Sequence, residues 1–446
     1  MNQKYFPLGK DELEDIARRY STPFYIYDEK AIIENVRRIK EAFSVFPSYI
    51  NHFAVKALPN PYILKILAAE GFGADCSSYP ELLLAEMAGM TGESIMLTSN
   101  ETPASEYAAA RKMGAVINLD DYTHIDFLEK VLVSDGSTSN GSTSTGSSLP
   151  EIISMRYNPG PLKEGNAIIG KPEEAKYGFT RERLIDGYKL LKQKGVKRFA
   201  LHTMVASNEL SLPYHIETAR MLFELAVEIK EKTGVCLEFI NLGGGVGIPY
   251  KIEQEAIDYF ALAEGIQKAY NEILKPAGLA DEGGNPVGIR TEWGRVVTGP
   301  YGWLVARAVH KKEIYRNYIA LDACMADLMR PALYGAYHHI TIPGKEDKPL
   351  SEIYDVVGSL CENNDKFAVQ RPLPKIKVAA DSSEAADFVV IHDAGAHGRA
   401  MGFNYNGKLR CGELLLRKDG SIVQIRKAET VEDYFATLDI AGLKNF

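Results

Sequence analysis

Lys56 closes the apolar run of NHFAVKALPN, a place where an ammonium group needs a partner or a purpose. Three glycines, Gly243, Gly244 and Gly245, follow the apolar stretch CLEFINL. Glu292 closes a third apolar stretch, VGIRTE, and Gly294 and Arg295 follow it in EWGR. A glycine run lets backbone N–H groups converge on an anion with no Cβ in the way. An amine, an anion-binding turn and a carboxylate are the parts that hold a phosphorylated aldehyde. The amine condenses with the aldehyde, the turn grips the phosphate, and the carboxylate faces a ring nitrogen and keeps it protonated. Pyridoxal 5'-phosphate is the plain candidate for such a group.

These residues need a scaffold that brings strand ends together. Between residues 48 and 310, eight strand-like segments alternate with periodic helical ones. The strands are INHFAV, FGADCS, SIMLTS, AVINLD, EIISMRY, RFALHT, CLEFINL and VGIRTE, and the helices include PYILKILAAE and IETARMLFELAVEIKEK. Alternation of this kind implies a parallel sheet, and eight units imply a (β/α)8 barrel, whose active groups sit at the carboxyl ends of its strands. Those ends also carry Asp75, Cys76 and Ser77, Arg156 to Asn158, and the run from His202 to Ser207. After residue 310 the texture changes to short β-rich runs such as EIYDVVGSLC and DFVVIHDAGA, which predict a β-sandwich or small β-barrel over 311–446. The early strand-like TPFYIYDEK, within residues 1–47, is expected to join that domain. Residues 134–148 are almost all Ser, Gly, Thr and Asn and predict a surface loop.

The 446 residues are 46% hydrophobic and 25% charged, as in an ordinary globular protein of two domains. A net charge of -8 gives no reason to expect nucleic acid or an anionic membrane as partner. No run is long enough to span a bilayer, and the start lacks the apolar core of a signal peptide. Five scattered cysteines point to reduced thiols and a cytoplasmic location, and nine histidines without HxxxH spacing leave no metal site to expect.

Seven segments in order sharpen this reading: FAVKALPNP, GFGADCSSYPEL, NLGGGVGIPY, EWGR, RPALYGAYH, CENND and DAGAHG. Together they resemble the alanine-racemase-fold, pyridoxal-phosphate-dependent decarboxylases, and within that group the diaminopimelate decarboxylases. The resemblance covers nearly the whole chain. It implies that Lys56 is the lysine that condenses with the cofactor, and that Gly243 to Gly245, Gly294, Arg295 and Ser207 hold its phosphate. It also implies Asp75 near the cofactor and Glu292 at the pyridine nitrogen. Arg295, Arg330 and Tyr334 would hold the distal end of the substrate. Cys361, as a catalytic residue, and Glu362 would be lent by the partner subunit of a homodimer.

Several positions depart from the family pattern. Met204 stands where the family has the histidine that stacks on the cofactor, and Ala206 where it has a glycine. His202, two residues earlier, points to the same side of a strand and is either a partial replacement or a satisfied core histidine. Trp293 replaces a proline, His397 a tyrosine near the cofactor, and CENND stands for CESGD. These departures bear on the substrate more than on the cofactor. The expected reaction is decarboxylation of meso-2,6-diaminopimelate to L-lysine. The alternatives are a decarboxylase for ornithine, arginine or carboxynorspermidine, an amino-acid racemase, and a silent relative that binds the cofactor without turnover.

Overall fold

The computed structural model describes residues 4–134, 149–163, 170–280, 286–379 and 386–443. Apart from Ser134, the Ser/Gly/Thr-rich insertion lies outside the described residues. The chain forms two compact units. One comprises Ile33–Ile248 and Glu255–Val297; the other comprises Met1–Ile32, Pro249–Gln254 and Thr298–Phe446.

Strand β1 (Phe24–Asp28) belongs to the second unit, and the next eight strands build the first. These are β2 (Tyr49–Ala54), β3 (Gly73–Cys76), β4 (Ile95–Thr98), β5 (Val116–Leu119), β6 (Ile152–Tyr157), β7 (Arg198–Thr203), β8 (Leu237–Asn241) and β9 (Gly288–Thr291). They pair in parallel in chain order, and β2 closes on β9 to complete the barrel expected from the sequence. Local signals punctuate the crossovers. The helix Pro61–Ala69 starts on Asn60, whose side chain accepts from Tyr62 N, and the helix Ala104–Met113 stops at the left-handed Gly114.

The layering of the strands explains where chemistry is possible. Met96, Val116, Ile152, Ala200 and Phe239, from five successive strands, form one buried apolar cluster. Two residues further along each strand the same face carries Thr98, Asn118, Ser154, His202 and Asn241. The face thus changes from apolar to polar on approaching the carboxyl ends. All but Thr98 are fully or almost fully buried, so this polar layer must satisfy itself or a guest.

In the second unit, β1 lies antiparallel to β10 (Gly302–Glu313) and parallel to β16 (Gly412–Leu416), so the N-terminal strand does enter the C-terminal sheet. The sheet continues through β11 (Asn317–Leu321), β13 (Glu352–Val357) and β14 (Lys366–Leu373) on one side and β17 (Ile422–Arg426) on the other. Strands β12 (Ile340–Thr341) and β15 (Phe388–Ile391) pair with each other, and β15 with β10. Alternate residues Phe24 and Ile26, Trp303 and Val305, Phe388 and Val390 pack with Leu13 and Ile16 of the helix Lys10–Tyr20. On the other face, the fully buried Tyr25 and Tyr27 donate to Asp327 O and Glu413 Oε1, each at 2.7 Å. Among the described residues no helix is long and apolar enough to cross a membrane.

This unit has a built-in acid sensitivity. His392 is buried, accepts from Trp303 Nε1 at 3.2 Å through Nδ1, and has Thr341 Oγ1 2.8 Å from Nε2. Indole N–H only donates, so Nδ1 must keep its lone pair. Burial, reinforced by neighbouring positive groups, pushes its pKa from 6.5 down to about 3. Below pH 6.5 the unfolded chain takes up a proton that the native chain refuses, so stability falls as pH drops toward 3. The expected slope is about 1.4 kcal/mol per pH unit from this group. Urea unfolding at pH 7, 5.5 and 4.5 measures it, and His392→Asn should flatten that slope by the same amount.

Candidate active site

Lys56 sits in a single 3₁₀ turn, Val55–Ala57, just past β2. It is the one exposed residue in the otherwise buried run 51–58. The end of strand β2 is therefore core, and the turn that follows presents Lys56 outward. Gly294 fixes this turn against the end of β9: a Cβ there would lie 2.8 Å from Ala57 Cβ and 3.2 Å from Ala54 Cβ. Burial raises Asp75 and Glu81, and the positive charge of Lys56 pulls against that rise as it pulls Glu292 down.

Glu292 is the hub of the polar layer. Its Oε2 accepts from His202 Nε2 at 2.9 Å, and its Oε1 from Asn241 Nδ2 at 2.8 Å and Thr98 Oγ1 at 3.4 Å. Asn241 ties this carboxylate to the glycine turn, because its Oδ1 accepts from Gly243 N at 2.9 Å. Gly243 O in turn accepts from Glu292 N at 2.8 Å. Only glycine fits at 243: φ is 71°, and a Cβ would lie 2.0 Å from Thr203 O. His202 is wholly buried, with Asn118 Nδ2 donating to its Nδ1 at 2.9 Å. With one nitrogen accepting and the other donating to a carboxylate, the imidazole is neutral, in line with the lowering that burial imposes on its pKa.

Two carboxyls in this layer are driven apart. Burial alone would raise Glu292, but the His202 contact and the positive charges of Lys56 and Arg156 hold it below its ordinary value. Burial and the charge of Glu292 push Asp75 well above its own, against the pull of Lys56. The two acids are thus pushed in opposite directions, a pattern common at sites of acid–base work. Asp75 Oδ1, Asn118 Oδ1, Ser154 Oγ and Arg156 Nε are buried with no hydrogen-bond partner among the described residues. Such orphans at the polar end of a barrel invite a polar guest.

The remaining barrel candidates cluster at the ends of β7, β8 and β9. Met204 is half-buried, and its Sδ accepts from Gly244 N at 3.3 Å, so it packs on the glycine turn. Glu209 N donates to Gly245 O at 2.8 Å, joining the two loops. Arg295 Nη2 lies 3.5 Å from Ser207 Oγ. An accessible amine, an ionised buried carboxylate, a glycine turn and a Ser–Arg pair on one unit fit the aldehyde, ring nitrogen and phosphate of pyridoxal phosphate.

The structure adds to what the sequence suggests at several residues. Both nitrogens of His202 are engaged, so its polar edge serves Glu292 and Asn118. Trp293 lays its ring 5.1 Å from Phe43 and 6.0 Å from Tyr259, so its side chain is taken up in packing between the barrel and its helices. Asn118, Asn241 and Thr98 escape sequence reasoning altogether. Their signal is a polar residue inside or at the end of an apolar strand, as in AVINLD and EFINL. Asp120 escapes it too: it lies 3.6 Å from the buried Arg156, whose guanidinium is 3.8 Å over the Tyr177 ring.

The other candidates lie in the second unit. Arg330 is buried and Tyr334 exposed at opposite ends of the short helix Arg330–Tyr334. Cys361 is exposed, with its backbone N donating to Asn406 Oδ1 at 2.9 Å, and Glu362 Oε1 accepts from Asn364 N at 3.2 Å. His397 is half-buried with a left-handed φ of 53°.

A closed parallel barrel with this amine, acid pair and glycine turn defines a pyridoxal-phosphate enzyme of the barrel type. Residues 29–299 match the model of the pyridoxal-dependent decarboxylase pyridoxal binding domain, and the chain belongs to the pyridoxal-dependent decarboxylases. It is 40% identical to Protein TabA of Pseudomonas amygdali pv. tabaci, over 97% of this chain and 94% of that one. It is 32% identical to diaminopimelate decarboxylase of Methanothermobacter thermautotrophicus, over 96% and 94%. The crystal structure of diaminopimelate decarboxylase from Methanocaldococcus jannaschii in co-complex with L-lysine matches with a TM-score of 0.83 at 27% identity, over 96% and 94%.

Proposed function

We propose that this chain removes CO₂ from meso-2,6-diaminopimelate to give L-lysine. The observation that carries the reading is the buried carboxylate beside Lys56: Glu292 accepts from His202, Asn241 and Thr98 and is held below its ordinary pKa, while Asp75 is pushed above its own. Pyridoxal phosphate, when bound, supplies the electron sink for the pair left behind as CO₂ departs. Lys56 would supply the amine that holds the cofactor's aldehyde. Glu292 holds a proton at the ring nitrogen. The glycine turn at 243–245, Gly294, Ser207 and Arg295 take the phosphate, and Met204 and His397 border the cofactor. Arg295, Arg330 and Tyr334 grip the distal carboxylate of the substrate, where a planar guanidinium gives both charge and orientation. Glu362 takes the distal ammonium, and Cys361 or Lys56 returns a proton to Cα. The active form is a cytoplasmic homodimer in which each chain lends Cys361 and Glu362 to its partner.

A second reading has its own support. The 40% identity to Protein TabA exceeds the 32% to the Methanothermobacter decarboxylase, which keeps a different amino-acid substrate as the second reading. The purified holoenzyme should release CO₂ from meso-2,6-diaminopimelate in preference to ornithine, arginine, lysine and carboxynorspermidine, with L-lysine as product. Preference for another amino acid would overturn the substrate assignment, and enantiomer exchange without CO₂ would overturn the reaction.

A further inference from the structure

We propose that His338 is a positioning residue that presents Arg330 to the distal carboxylate of the substrate. This rests on the proposed role of Arg330 and extends it to a residue that touches no substrate.

His338 is completely buried, and its two nitrogens face groups that admit only one arrangement. Nδ1 lies 2.8 Å from the backbone O of His392. A carbonyl only accepts, so Nδ1 carries the hydrogen. Nε2 lies 2.8 Å from Arg330 Nη1. A guanidinium only donates, so Nε2 presents its lone pair. The imidazole is therefore neutral and locked in one tautomer. That choice of partner matters. A carboxylate in this place would orient the guanidinium and also cancel its charge, whereas a neutral lone pair orients it and leaves the charge in force.

The rest of the surroundings hold the same geometry. The guanidinium lies 4.6 Å from the Tyr250 ring centroid, and the His338 ring meets Tyr250 edge-on at 5.1 Å. His338 O accepts from Arg371 Nη1 at 2.8 Å. His392 N donates to His339 O at 2.9 Å, which continues the β12–β15 pairing and fixes the carbonyl that His338 uses. The nearby buried Asp393 is engaged by Lys4 Nζ, at 2.9 Å to Oδ1 and 2.8 Å to Oδ2. The sheet sets the imidazole, and the imidazole sets the arginine.

The test compares His338→Leu, His338→Gln and Arg330→Gln holoenzymes with meso-2,6-diaminopimelate. L-Lysine, which keeps the distal carboxylate, and cadaverine, which has none, serve as inhibitors. His338→Leu should raise KM and the L-lysine inhibition constant about tenfold or more, with kcat changed far less and the cadaverine constant unmoved. His338→Gln keeps one acceptor and one donor and should recover most of the loss, which also covers the case in which the leucine variant does not fold. A rise for cadaverine equal to that for L-lysine, or no rise for either histidine variant while Arg330→Gln shows one, overturns the inference. An Arg330→Gln enzyme with unchanged KM and L-lysine inhibition overturns the underlying assignment of Arg330 instead.

Discussion

Lys56→Ala is expected to lose turnover by at least about a thousandfold and to lose the visible absorbance of the bound cofactor, while unfolding at nearly the same temperature as the parent. The two halves of this expectation come from the same geometry. The side chain is exposed at the tip of a 3₁₀ turn whose neighbours Val55 and Ala57 are buried, so the fold rests on them and not on the amine. Truncating an exposed side chain away from caps and buried networks shifts stability by only about 0.5 kcal/mol. The chemistry has no such redundancy, because Lys56 is the lysine whose charge acts on both Asp75 and Glu292. Lys56→Arg is the sharper control: it keeps the charge and removes the nucleophile. Absorbance spectra before and after borohydride, CO₂ release and a melting curve on each variant check the point. Retained CO₂ release in Lys56→Ala would refute the mechanism.

Glu292→Gln is expected to lower kcat roughly a hundred- to a thousandfold with little change of fold, and Glu292→Ala to damage both. The glutamine keeps the volume and one acceptor for the donors that converge there, but not the charge. The alanine strands His202 Nε2, Asn241 Nδ2 and Thr98 Oγ1 in a buried layer, at a cost of about 3 kcal/mol. A second effect separates electrostatics from packing. The charge of Glu292 is, after burial, the main influence raising Asp75. Removing it should let the Asp75 carboxyl ionise at lower pH. The pH profile of cofactor absorbance in Glu292→Gln should therefore move to the acid side of the parent's. An unmoved profile with a normal melting curve would break the proposed coupling between the two acids.

Much of the molecule was legible in the order of its residues. The eight barrel strands follow from short apolar runs, bounded by capping and turn residues, that alternate with periodic helices. Such signals are local: Asn60 before Pro61, or Gly114 after Met113, act on their own backbone whatever lies across the fold. The glycine turn was legible for the same reason, since a left-handed φ at 243 demands glycine. The entry of TPFYIYD into the C-terminal sheet was legible as a strand without a neighbour of its own, though not its partners, parallel β16 and antiparallel β10.

What the sequence by itself determined, then, is the barrel, the lysine just past its strand, the glycine turn and the acid that closes β9. Each is set by the chemistry of a few consecutive residues. Only the tertiary structure decided what His202, Trp293 and His338 do. Period-two alternation assigns a side chain to a face, yet the partner on that face comes from strands and loops tens of residues away. His202 reaches Glu292 and Asn118 across the barrel, Trp293 turns to Phe43 and Tyr259, and His338 is fixed by a carbonyl at His392. A donor or acceptor has no meaning until its opposite number is placed, and closure of the sheets is what places it.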